Sequence, residues 1–280
     1  MSGIRIVTDS ACDLTDEELT EYGIEMVPLT IRFGDEEFVD RVELSIAEFY
    51  RRLAESDHLP ETSAPAPGKF AEVFQRLLDD GAEAIVCINL SAALSATMQA
   101  AETAVKELEG DPDIRVIDSR SITAGLGAMV LAAAQAAATG ATADEIEALV
   151  EDLSARTRVY GVLDTLENLK KGGRIGNAQA LLGSMLSIKP ALDLSSGEVE
   201  EAGKVRTRKK SLAWLRDKVA SETKIEKLAI MHSMADDADT FRDLLSEVTD
   251  VEDLRVGPIG AVIGTHGGPG VMGVAYVLAP

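Results

Sequence analysis

One of the chain's three histidines, His266, sits in a run of small residues, Ile263-Gly264-Thr265-His266-Gly267-Gly268-Pro269-Gly270-Val271-Met272-Gly273. Glycine leaves backbone N–H groups uncovered and accepts φ > 0. A loop of that kind wraps an anionic group while the imidazole supplies a donor or a proton. The competing reading is a structural Gly/Pro turn.

Four more polar segments lie where strands should end, which is where open α/β sheets bind ligands. Thr8-Asp9-Ser10 offers hydroxyls and a carboxylate, or only caps. In Glu61-Thr62-Ser63-Ala64-Pro65 the proline restrains the residue before it, so the hydroxyls of Thr62 and Ser63 stay in place to bind an oxygen or cap a turn. Asn89-Leu90-Ser91-Ala92-Ala93-Leu94-Ser95-Ala96-Thr97 opens a helix whose free N–H groups favour an anion, with Ser91 and Ser95 as added donors. Asp118-Ser119 reads as structural. Arg174, in Gly172-Gly173-Arg174, offers a guanidinium to phosphate or is a surface arginine beside a turn.

Several chemistries lack their residues. There is no GxGxxG after the first strand, no phosphate-loop lysine, and no carboxylate–histidine spacing for a metal. No GxSxG elbow accompanies the serines. Cys12 and Cys87 form no CxxC and imply neither a disulfide framework nor zinc. The net charge of -21 argues against nucleic-acid binding. It is unevenly spread: Arg156 to Lys218 holds 13 Lys or Arg against 7 Asp or Glu, a net of +6. That basic island is a docking surface for an anion or acidic partner, or a cluster of internal ion pairs.

The elements that must position these residues alternate. Strand patterns at 4–8, 84–89 and 114–117 are separated by helical patterns, with an extended stretch at 25–33 and helices at 15–22, 45–56, 69–79, 93–108, 123–138 and 144–154. From Arg156 a second set follows. It has strands at 159–163, 187–194, 198–205, 224–230, 251–256 and 274–278, and helices at 165–169, 177–183, 208–220 and 237–248, with a hairpin signal at Ser195-Ser196-Gly197. The fold class is α/β: a mostly parallel three-layer domain over 1–155 and a second α/β domain with a mixed sheet over 156–280. The Ala-rich stretch 124–138 is too short and too punctuated to cross a bilayer and reads as a buried helix. The N-terminus runs straight into a strand pattern with no room for a signal peptide, so the expected location is the cytoplasm.

Taken in order, these segments resemble the DegV family of fatty-acid-binding proteins. The resemblance is carried by Val7-Thr8-Asp9-Ser10, Val27-Pro28-Leu29, Glu61 through Pro65, Leu90-Ser91 through Thr97, and Val116 through Ser119. It continues with Leu169 through Ile175, Ile188-Lys189-Pro190, and Gly264-Thr265-His266 through Gly270. It implies two α/β domains with a fatty acid in an apolar tunnel between them. The carboxylate would meet Thr62, Ser63, Ser91, Ser95 and His266. It further implies no cofactor and no catalysis by this chain alone. A separate ATP-dependent kinase subunit would phosphorylate the presented carboxylate, with Arg174, Lys204, Arg206 and Arg208 docking that partner or steadying phosphate. One copy suffices to form such a tunnel, so a monomer is expected. Ala92, Ala93 and Ala96 stand where the family often has a hydroxyl and two glycines, and Gly267 where it often has threonine. Two other functions are compatible with the residues. One is a standalone hydrolase or transferase using His266. The other is a lipid-responsive interaction module without a kinase.

Overall fold

A computed structural model describes residues 3–184, 188–251 and 254–280. Its first half runs β1 (Ile4–Asp9), α1 (Asp16–Glu21), β2 (Glu25–Val27), β3 (Thr30–Phe33), β4 (Glu36–Val39), α2 (Ile46–Glu55), β5 (Glu61–Ser63), α3 (Pro67–Asp79), β6 (Ala84–Asn89), α4 (Thr97–Glu107), β7 (Ile114–Asp118), α5 (Thr123–Ala138) and α6 (Ala143–Arg156). The second half runs β8 (Thr157–Val162), α7 (Glu167–Lys171), a 3-10 segment at Gly176–Ser184, β9 (Lys189–Asp193), β10 (Glu200–Val205), α8 (Arg208–Ala220), β11 (Ile225–His232), α9 (Ala238–Ser246), β12 (Leu254–Pro258), α10 (Ala261–Gly267) and β13 (Met272–Leu278).

The first half holds a parallel sheet of order β2-β1-β6-β7 and the second a mixed sheet of order β10-β9-β8-β13-β11-β12. The central strand β6 reads as an apolar run from Ala84 to Ile88 and is buried through Asn89, because helices cover both faces of the sheet. A third sheet, β4-β3-β5, is antiparallel. It was not foreseen: the extended stretch 25–33 breaks at Pro28, and its two pieces join different sheets. Pro28 lacks the N–H a continuing ladder needs. The expected strand 187–194 begins at Lys189, Ser187 lying outside the described residues.

Helix α5 lies between the two large sheets. It packs on β1 and β6 on one side and on β8, β11 and β13 on the other. Its alanines and glycines let it sit close to both. A Cβ at Gly127 would lie 2.6 Å from the Cys12 carbonyl oxygen, and one at Gly125 2.9 Å from Val159 Cγ2. The largest apolar core runs through this helix from Ile6 and Val86 to Ala229 and Val277, joining the two halves. No described helix is long and apolar enough to cross a membrane.

Candidate functional site

Between the halves lies a cavity lined by the inner face of the mixed sheet, by α10 and by the loops after β5, β6 and β7. It has about 160 Å³ of room, about ten times what a single water needs. Most of the lining is apolar, including Leu29, Leu90, Leu163, Leu192, Met231 and Val262. Polar side chains gather at one end. There Thr62, Ser95, Arg174 and His266 all line the wall.

Each of the four is placed by its element. β5 alternates its side chains, so Thr62 turns inward while exposed Ser63 faces the other way, outside the lining. His266 sits in the last turn of α10, so the glycine-rich segment starts as a helix rather than a loop. Gly264 is the close-approach residue of that helix: a Cβ there would lie 2.6 Å from the Tyr50 hydroxyl oxygen and 2.9 Å from Phe49 Cε1. Past the helix, Gly268 and Gly270 take positive φ and turn the chain into β13. Arg174 reaches across the domain boundary, donating from Nε to the Leu94 carbonyl at 3.2 Å and from Nη1 to the Gly172 carbonyl at 2.8 Å.

Thr62 Oγ1 and His266 Nε2 are 2.9 Å apart. Burial, aided by the Arg174 charge, lowers the His266 pKa to about 4, so the ring is neutral at pH 7. Its Nδ1 is buried without a hydrogen-bond partner among the described residues, against Gly172. An orphaned N–H costs more than an orphaned lone pair. That assigns the proton to Nε2, which donates to Thr62 Oγ1 and leaves the threonine O–H free to donate into the cavity. Ser95 Oγ exchanges a 2.8 Å bond with Thr97 Oγ1 and accepts from the Thr97 N–H, just where α4 begins. That start is later than the expected position 93 because Ala92–Leu94 forms a turn ahead of it.

Ser91 has a different job. Its Oγ donates to the Gly197 carbonyl at 2.6 Å and accepts from the Ala93 N–H at 3.3 Å. It is fully buried, pins the β9–β10 turn to the first domain, and does not line the cavity. The Thr8-Asp9-Ser10 segment is likewise internal: Thr8 donates to the Ile88 carbonyl, Asp9 receives three donors, and Ser10 accepts from the Leu29 N–H.

The basic residues also divide. Arg208 makes two 2.7 Å bonds to Asp237 and donates to the Gly270 carbonyl at 2.6 Å, and this pairing holds the Asp237 carboxyl below its usual range. It braces the glycine turn rather than offering itself for docking. Lys204 sits 3.5 Å from Glu201, both partly solvent-facing, and Arg206 is exposed. Arg208→Ala is therefore expected to lower Tm by about 5 °C, as the loss of a partly buried bidentate pair does. Arg206→Glu is expected to leave Tm unchanged; differential scanning calorimetry compares them.

Two further residues, one lining the cavity and one supporting α10, carried no sequence signal. Thr123 lines the cavity with φ 50, a strained value for a β-branched residue. Asn168, buried below the glycine turn, donates to the Thr265 carbonyl at 3.2 Å and supports α10. Among the described residues no group of His, Cys, Asp and Glu is arranged to hold a metal ion. Burial raises the Cys12 thiol to about 12, so it is no nucleophile.

An α/β pair enclosing an apolar cavity with one polar end defines a small-ligand binding protein built on two domains. The family model described as "Uncharacterised protein, DegV family" matches residues 3–279, and the chain belongs to the DegV family. A DegV domain-containing protein of Streptomyces coelicolor is 40% identical over 278 residues, covering 97% of both chains. Among solved structures, a fatty-acid-binding DegV family protein from Thermus thermophilus superposes with a TM-score of 0.90 at 33% identity, covering 100% of both chains. DegV, a fatty acid binding protein from Bacillus subtilis, gives 0.87 at 29% identity, again over 100% of both.

Proposed function

We propose that this protein binds one long-chain fatty acid between its domains and presents the carboxylate at the end of the cavity where Thr62, Ser95, His266 and Arg174 meet. The observation that carries this reading is the Thr62–His266 pair at the polar end of a mostly apolar cavity. Burying the acyl chain supplies most of the affinity, about 0.8 kcal/mol per methylene. The carboxylate must then be hydrogen-bonded, because burying it bare is costly. The freed Thr62 O–H and the Arg174 guanidinium meet that need, and His266 acts by holding Thr62. The fatty-acid-binding relatives of this fold support the ligand class.

The chain is a carrier rather than an enzyme in this reading. An exposed ledge of Ala92, Ala93, Ala96 and Met98 shares Ser95 and Arg174 with the cavity, so the head group lies near the surface. A separate ATP-dependent kinase reaching that ledge would convert the carboxylate to an acyl phosphate, with Arg174, Lys204 and Arg206 as docking residues. The kinase must bring nucleotide and metal. A standalone hydrolase is disfavoured: among the described residues no acid orients His266 Nδ1, and the Ser91 hydroxyl is engaged elsewhere.

Native mass spectrometry followed by organic extraction tests the reading. One fatty acid per chain is the expected result; an isoprenoid lipid would keep the carrier and change the ligand. An empty protein that also fails to take up added palmitate or oleate would refute it. His266→Ala is expected to weaken palmitate binding about ten-fold, through the loss of one oriented hydrogen bond, with Tm nearly unchanged. Unaltered affinity in a lipid titration would remove His266 from the head-group site.

A further inference from the structure

The mixed sheet meets the cavity through a row of aligned residues. Leu192 on β9 pairs with Gly161 on β8, Gly161 with Gly273 on β13, and Gly273 with Met231 on β11. All four line the cavity. Alternation along β8 puts Gly161 on the same face as Val159 and Leu163, which also line it, while Tyr160 and Val162 pack into the core on the opposite side.

Glycine inside a strand weakens it and marks a place where something approaches closely. Gly273 has a backbone reason: a Cβ there would lie 3.1 Å from the Tyr160 carbonyl oxygen. Gly161 has none. Its φ is not positive. A Cβ there would touch only Leu163 Cδ1 at 3.8 Å and the Met272 carbonyl oxygen at 4.0 Å, both ordinary contacts. Neither conformation nor protein packing requires the missing side chain. The space it leaves opens into the cavity.

We propose that Gly161 is the selectivity position of this cavity: the ligand's hydrocarbon chain crosses its bare Cα, and the residue at 161 sets which chain lengths fit. The inference rests on the lipid reading above. A side chain at 161 blocks chains that reach it and leaves untouched those that end before it. Leu192 and Met231, at the two ends of the row, bound the same stretch of floor.

The test is a titration of octanoate, laurate, palmitate and stearate against the wild type, Gly161→Ala and Gly161→Val, with Tm of each ligand-free protein measured alongside. Gly161→Val is expected to lose at least about ten-fold in affinity for the longer chains, as overfilling a packed site does, and to keep wild-type affinity for the shorter ones. Gly161→Ala is expected to show a smaller loss with the same length threshold, and serves if the valine variant misfolds. An unchanged length profile, or an equal loss at every length, would overturn the assignment of Gly161. Failure of the wild type to bind any of the four would instead overturn the lipid reading.

Discussion

Asp9→Ala is expected to cost about 3–5 kcal/mol of folding stability, as removing a buried hydrogen-bonded charge does. The carboxylate is fully buried at the end of β1 and gathers three donors. Oδ1 accepts from the Ala11 N–H at 3.0 Å, and Oδ2 from the Leu90 N–H at 2.8 Å and Asn89 Nδ2 at 3.1 Å. Desolvation lifts its pKa to about 6 against the pull of those donors, so it is ionised at pH 7. Alanine leaves two backbone N–H groups and one amide without acceptors in a dry site. A domain pair of this size has a stability of about 5–15 kcal/mol, so the variant is close to unfolding. Asp9→Asn is nearly as damaging, because either amide orientation sets an NH₂ against a backbone N–H. Urea unfolding of both variants checks this. An asparagine variant within about 1 kcal/mol of wild type would mean that acceptor geometry is not what Asp9 supplies. Because Asp9 ties β1 to the loop that carries Ser91 and Ser95, lipid affinity should fall with stability.

What the sequence made legible was residue type and rough position; what it hid was direction and partner. Thr62 and Ser63 are adjacent hydroxyls in a motif, and nothing in their spelling says that the segment is a strand. Once it is, alternation forces one in and one out. Ser91 and Ser95 read as equals at a helix start, yet the helix begins at Thr97 and leaves Ser95 at the wall. Ser91 meets Gly197, 106 residues away, a contact no local pattern encodes. Arg208 stood out as part of a basic island; its acid, Asp237, comes 29 positions later. His266 was visible from its glycines, although Gly264 is there for α2 rather than for a ligand. The alternation of βα units made both large sheets legible. The small β4-β3-β5 sheet was not, because its strands are three or four residues long and half exposed.

Gly172→Ala is expected to lower palmitate affinity about thirty-fold, the equivalent of about 2 kcal/mol, more than deleting the imidazole does. Gly172 has right-handed helical angles, φ -74 and ψ -7, so alanine suits the backbone. Its Cβ, however, would lie 2.4 Å from His266 Nδ1 and 2.9 Å from Cε1. The ring must move, the 2.9 Å bond to Thr62 breaks, and the displaced imidazole is pushed toward the end of the cavity that the carboxylate needs. His266→Ala merely vacates that space. The same displacement is readable as a titration. In the wild type the folded-state pKa of about 4 lies below the ordinary value of 6.5. The unfolded chain therefore takes the proton first. The contribution is fully present above pH 6.5 and is lost as pH falls through the window down to about 4, on the order of 3 kcal/mol in all. With the ring pushed out of its buried seat into the surface-facing end of the cavity, its NMR-measured pKa should rise toward 6.5 and that acid-side loss should shrink. Stability curves of wild type and Gly172→Ala should therefore converge as pH drops from 6.5 to 4. A variant whose His266 still titrates near 4 and whose palmitate affinity matches wild type would show that the ring does not depend on Gly172 for its place, and that Thr62 is held by something other than His266.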